Sequence, residues 1–171
     1  MFVGNGASLS LEEQVMVAKP TTIAKLQADA APALARVLAD TYFLYLKTHN
    51  FHWNVQGANF PGLHRMFEEQ YQALWISLDA LAERIRALGQ YAPGTYAKFK
   101  ALAAVKETEE IPDSEAMLRA LLADSETLVH DVQAGLTAAH AAGDEGTAAL
   151  LTDRLVYHQK QIWMMKSTLA A

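Results

Sequence analysis

The sequence predicts an all-α protein, a four-helix bundle with one short extra helix in the connection between the second and third long helices. Two observations lead there. Apolar residues recur at helical spacing through four long stretches, with no convincing run of strand alternation. The breaks fall at Gly57 to Pro61, at Gln90 to Pro112 and at the GDEG run from Gly143 to Gly146, which gives two short loops and one long crossover.

The first helix is expected from about Asp29 to Val55, with Pro32 tolerable in its opening turn and Leu34, Leu38, Tyr42 and Tyr45 marking its apolar face. The second runs from Asn59 to Leu88 and stops at Gly89, a common helix terminator. At about 100° per residue, Leu63, Phe67, Tyr71, Leu74, Leu78, Leu81, Ile85 and Leu88 share one arc, the stripe of a core-facing side. The connection carries Pro93, Gly94 and Pro112, and its middle, TYAKFKALAAV, suits a short helix that crosses the bundle. Ser114 is the expected cap of a third helix reaching about Ala142. Asp144 or Glu145 then opens a fourth helix to Leu169, with Leu150, Leu151, Leu155, Ile162 and Met165 as buried candidates. Helices of this length, joined this way, describe a bundle of the ferritin-like kind. The bundle is expected over residues 29–171, with residues 1–28 a flexible N-terminal extension.

Composition narrows the function. A chain of 171 residues suits one domain with a full core. Half its residues are hydrophobic, yet charges interrupt every apolar run well short of a membrane-spanning length. The start, MFVGNGASLSLEEQ, lacks the basic and apolar regions of a secretory signal, so the cytoplasm is the expected compartment. With no cysteine, any metal must be held by imidazole and carboxylate. A net charge of −5, with only Lys19 and Lys25 basic in the first thirty residues, argues against general affinity for nucleic acid.

The strongest functional signal is the set His52, His64, Glu68, Asp79 and Glu83. On one helix His64 and Asp79 stand about 22 Å apart, so one ion cannot bind both within one chain. A second copy running antiparallel removes the difficulty, because two-fold contacts are self-complementary. His64 with Glu83 and Glu68 with Asp79 share the index sum 147, so one axis near residues 73 and 74 serves both pairs and builds two equivalent sites. The helical angles agree: His64, Glu68, Trp75, Asp79 and Glu83 fall in the arc beside the core stripe. A tryptophan there is odd on a wet face and natural at an interface. The alternative for the helix by itself is a solvated face with ordinary i, i+4 neighbours.

Ordinary di-iron bundles draw on Glu-x-x-His pairs. This chain has none, and offers only scattered His130, His140 and His158 in its second half. Glu126 and His130, one turn apart, fit a helix surface better than a metal role. His49, one turn before His52, is expected to be a hydrogen-bonding neighbour of the site.

The run THNFHWNVQGANFPGLHRMFEEQY, Thr48 to Tyr71, followed by LDALAERI, Leu78 to Ile85, resembles the Dps proteins, ferritin-like "DNA-binding proteins from starved cells". The likeness spans roughly Asp29 to Leu169, including the IWMM segment near the end. The resemblance implies a dodecameric shell that oxidises Fe(II), with hydrogen peroxide commonly preferred over dioxygen, and stores ferric mineral inside. It implies a ferroxidase centre between two-fold partners, with His52, His64 and Glu68 from one subunit and Asp79 and Glu83 from its mate. In many relatives the Glu68 position is an aspartate, and the longer arm moves the donor oxygens. Such a site leaves open positions for a second ion or an oxidant, and zinc can compete for it. Trp53, beside His52, and Trp75 are candidate one-electron donors, against core or interface packing. In this family acidic residues near three-fold axes admit iron, which makes Asp144 and Glu145 pore candidates, although acids at a helix start also cap exposed amides. The family name carries an alternative function, DNA binding and compaction in the nucleoid, which the acidic balance opposes. A structural or binding shell with a degenerate or zinc-filled site is the third reading.

Overall fold

The computed structural model describes residues 20–170 and contains five helices, α1 (Pro20–Asn54), α2 (Phe60–Ala87), α3 (Tyr96–Leu102), α4 (Ser114–Ala141) and α5 (Glu145–Leu169). This is the expected bundle of four long helices with a short fifth in the crossover. The first helix begins at Pro20 rather than near Asp29, so Pro32 lies inside it and not in its opening turn. A proline there withholds the amide that residue 28 would otherwise bond. Pro32 is exposed. Residues 1–19 of the expected extension lie outside the described residues.

The helix ends follow from local chemistry. Gly89 adopts φ +82, and after α2 its amide bonds Arg86 O at 2.9 Å while Gln90 N bonds Ile85 O at 3.2 Å, the paired bonds of a Schellman stop. The turn between α4 and α5 repeats the arrangement, with Gly143 N on His140 O and Asp144 N on Ala139 O. Asp144 then caps α5 by accepting from Thr147 N at 3.0 Å. At the start of α4 the cap is Asp113, which accepts from Ala116 N at 2.8 Å, and the expected Ser114 is the first helical residue. Aspartate reaches the orphan amides of a first turn as readily as serine, and adjacent candidates are not separable by type.

Helix α1 is the hub. It packs along α2, α4 and α3, and α4 packs along α5, whereas α2 and α5 meet at few points. The core is continuous, with Leu34, Leu38, Phe51, Phe67, Leu81, Ile85, Met117, Leu121, Leu128, Leu151 and Met165 fully buried. On α2 the expected stripe is buried except for Tyr71 and Leu78, which are partly covered. Leu151 and Met165 of α5 are buried, while Leu150, Leu155 and Ile162 are partly so. Phe99 of α3 stacks on Tyr42 with ring centroids 4.6 Å apart, seating the short helix on α1.

Two buried titratable groups oppose each other. His158 is 2% exposed and burial, with a smaller contribution from Arg154, lowers its pKa to about 3. Asp40 is fully buried, and one carboxylate oxygen accepts from Val105 N at 2.8 Å while the other has no hydrogen-bond partner among the described residues. Burial, reinforced by Asp131, raises its pKa to about 7. His158 takes up a proton far more readily when unfolded, so its contribution to stability falls as pH drops from about 6.5 towards 3. Asp40 holds its proton more tightly when folded, so its contribution is full below about 3.8 and is lost as pH rises through 7. The two oppose one another between about pH 4 and 6.5. Denaturation midpoints followed across that window are expected to fall less steeply on acidification in a His158→Gln protein, and more steeply in Asp40→Asn. Parallel profiles in all three proteins would contradict the assignment.

Candidate metal centre

His52 lies in the last turn of α1 and His64 in the second turn of α2, facing each other across the loop closed by Gly57. Gly57 has φ +111, a conformation that only glycine adopts without strain. The loop is short enough that the two helix ends run side by side. Their imidazoles stack with centroids 3.8 Å apart and planes 20° from parallel. Each ring bonds the backbone of the other: His52 Nδ1 to His64 O and His64 Nδ1 to His52 O, both 2.9 Å.

A carbonyl oxygen can only accept, so each Nδ1 must carry its hydrogen and donate. In the neutral ring that leaves Nε2 with a lone pair, the state a metal ligand needs. Two such nitrogens are held side by side by bonds that cost the site nothing in donors. His52 is buried, 8% exposed, and His64 is partly exposed, so the pair is open to solvent mainly on the His64 side.

The carboxylates are disposed differently. Glu68, one turn after His64, makes a long contact of 3.4 Å with Gln72 Nε2. Asp79 and Glu83 are exposed farther along α2, and among the described residues neither is in an ion pair. Within one subunit no three histidine, aspartate or glutamate side chains converge among the described residues. The structure therefore joins His52 to His64 and leaves Asp79 and Glu83 apart from them, next to Trp75 and Ile76, which are 59% and 73% exposed. An apolar groove beside this face, of about 640 Å³, is lined by Trp75, Ile76, Leu78, Asp79 and, from α1, Leu38 and Tyr42.

His49 is built into an aromatic cluster and bonds Tyr45 Oη through Nδ1 at 3.3 Å. Burial, then the neighbouring His52, lowers its pKa, so it rests neutral. Trp53 lies against His49 with centroids 4.0 Å apart and planes tilted by 38°, and it is 64% exposed. Glu126 is paired with Lys166 at 2.7 Å and His130 turns towards Asp131 at 3.3 Å, so that pair serves the surface.

Asp144 and Glu145 part company. Asp144 is 2% exposed and, besides capping α5, accepts from Arg84 Nη2 at 2.5 Å and Thr147 Oγ1 at 2.6 Å. Burial alone would raise its pKa, but the bonds from Thr147 and the Arg84 charge outweigh burial and hold it below the usual carboxylate range. Its oxygens are committed to fastening α2 to α5, and only Glu145 stands exposed at this corner. Sequence reasoning missed Arg84, because nothing in the local pattern marks a partner sixty positions away.

Residues 31–171 match the family described as a ferritin-like domain. A low temperature-induced protein of Nostoc is 37% identical over 132 residues, covering 76% of this chain and 74% of its own. The DNA protection during starvation protein of Brevibacillus brevis is 35% identical over 144 residues, 84% of this chain and 97% of its own. The Dps protein of Vibrio cholerae O1, described as one of a broad superfamily of ferritin-like diiron-carboxylate proteins, superposes with TM-score 0.82 at 33% identity, covering 85% of this chain and 92% of that one.

Two outcomes follow from this geometry. Solid-state 15N NMR of histidine-labelled protein, assigned with His52→Gln and His64→Gln, is expected to show both neutral rings as Nδ1–H tautomers, and an Nε2–H ring at either position would refute the reciprocal lock. Arg84→Ala leaves a buried carboxylate without its cation and is expected to cost roughly 2–4 kcal/mol in denaturant unfolding, whereas a cost within error of zero would show that Asp144 does not need it.

Proposed function

Because this chain belongs to the Dps family of ferritin-like proteins, we propose that it oxidises Fe(II), with hydrogen peroxide as the oxidant, at centres shared between two-fold partners, and stores the ferric product inside a dodecameric shell. One observation carries the reading: two imidazoles are locked by each other's backbone so that each Nε2 keeps its lone pair, while Asp79 and Glu83, exposed farther along the same helix, do not converge with them within the subunit. A partner related by an axis near residues 73 and 74 would bring Asp79 and Glu83 to His64 and Glu68. The exposed Trp75 and Ile76 and the adjoining groove give that contact apolar area to bury.

Iron is here the substrate. Neutral imidazole and carboxylate suit Fe(II) and accept zinc as well, so zinc is expected to inhibit by competition. His52 and His64 hold and orient the ion while Glu68, Asp79 and Glu83 supply the negative charge that favours Fe(III) over Fe(II). Two Fe(II) give two electrons to one peroxide, whose oxygen–oxygen bond breaks, and two protons complete two waters. Both electrons leave together, so no hydroxyl radical is released. Glu145 is the remaining candidate for drawing Fe(II) towards an entrance. No described helix is long and apolar enough to cross a membrane.

The name of these relatives, DNA protection during starvation, favours a second reading in which the protein binds DNA itself. The net charge of −5 stands against it. Removing peroxide and Fe(II) would protect DNA without contact.

The deciding experiment loads Fe(II) anaerobically, adds a peroxide pulse and follows ferric absorbance and peroxide consumed. The unmodified protein is expected to consume one peroxide for two Fe(II), and an Asp79→Ala, Glu83→Ala protein to be slower by roughly tenfold or more. Equal rates in both proteins and in buffer would sink the ferroxidase reading. Gel retardation tests the second reading, since binding through phosphates weakens steeply with salt.

A further inference from the structure

Each of the four long helices turns polar side chains into one small chamber inside the bundle: Thr48 from α1, Gln70 from α2, Ser125 from α4, and His158 with Gln161 from α5. Thr48, Gln70, Ser125 and His158 are each no more than 5% exposed. Polar groups are seldom gathered in a core without partners. The chamber measures about 10 Å³, near the least space that holds a single water molecule.

The bonds these side chains make leave a definite remainder. Gln70 Nε2 donates to Gln161 Oε1 at 3.1 Å, which spends one amide oxygen and one amide nitrogen and leaves one of each. Thr48 Oγ1 gives its hydrogen to Leu44 O at 2.7 Å and keeps its capacity to accept. His158 is a neutral ring with one N–H to give and one lone pair to fill, yet among the described residues no protein group bonds either nitrogen. The Ser125 hydroxyl is in the same position. Neither is sealed in protein, because the one sealed side-chain atom without a partner among the described residues is an Asp40 oxygen, so both open on the chamber. A neutral imidazole kept dry and unbonded on both sides would burden the fold.

Inward-facing side chains from four helices hold the metal pair of ordinary di-iron bundles. This chamber does not suit a cation. It offers one imidazole and no carboxylate, and the Arg154 charge already acts against a proton on His158. The remaining donors and acceptors match a small neutral molecule that both gives and accepts hydrogen bonds. We propose that the chamber binds one water molecule, which bridges His158 and Ser125 to the Gln70–Gln161 pair and so joins α5 to α4 and α2 inside the bundle. The water gives α2 and α5, which approach closely at few points, a further bridge. It also gives His158 a structural task, where an ordinary di-iron bundle would set a metal ligand. The site lies within one subunit and is independent of the proposed ferroxidase activity.

A high-resolution crystal structure of the full-length protein, grown with zinc and with Fe(II) and recorded at the absorption edge of each metal, tests the assignment. It is expected to show one oxygen-sized atom about 2.7–3.2 Å from a ring nitrogen of His158 and from Ser125 Oγ, with no anomalous signal in the chamber. An anomalous peak there overturns the water in favour of a metal, and empty density overturns it in favour of a dry void. Solution measurements give a second test, because magnetic relaxation dispersion of water oxygen counts long-lived internal waters. His158→Leu, which removes both ring nitrogens, is expected to lower that count by one per subunit with helix content unchanged. Ser125→Ala, the milder change, is expected to shorten the residence time of the same water several-fold. Equal counts and residence times in all three proteins overturn the site.

Discussion

The constraint on which the site depends is the exchange of two hydrogen bonds between His52 and His64 across a loop too short to slip. Each histidine spends its Nδ1 proton on the other's carbonyl and thereby fixes its own ring. The same two bonds tie the end of α1 to the start of α2, so ligand orientation and helix pairing are one structural event. Neither ring depends on a carboxylate to set its tautomer. In the proposed centre this leaves Glu68, Asp79 and Glu83 without that task.

Much of the fold was legible because amphipathic periodicity and glycine stops are local signals. The four long helices, the short helix after Thr95 and the stop at Gly89 follow from spacing and from one residue's φ. The start of α1 was not legible. A proline usually marks the beginning of a helix, and Pro32 therefore hid the roughly three turns that precede it. The cap at Asp113 was misassigned to Ser114 because both side chains accept from the same orphan amides, and only backbone geometry chooses between them.

At the site the residue types and their spacing were legible, while their connections were not. Sequence marks His52 and His64 as donors, but the reciprocal bonds need coordinates, since carbonyls have no signature in side-chain identity. The cluster around His49 joins residues from two helices, and its geometry depends on how α1 and α2 rotate against each other. Asp144 shows the converse: two acidic neighbours look equivalent in sequence, yet one is buried in an ion pair from α2 and the other faces solvent. The helices α2 and α5 approach closely at few points, and they are bridged by Arg84 with Asp144 and by Gln70 with Gln161.

The bond from Val105 N to Asp40 bears on the order in which the chain assembles. The hairpins α1–α2 and α4–α5 close through short turns, so each can form from contacts between near neighbours in sequence, the fast class of folding events. Joining them requires the long crossover to be laid over α1, and its last buried residue is fastened to a carboxyl sixty-five positions earlier. That non-local closure adds a loop-closure cost that neither hairpin carries, and it places the kinetic bottleneck of folding where the crossover meets α1 at Asp40.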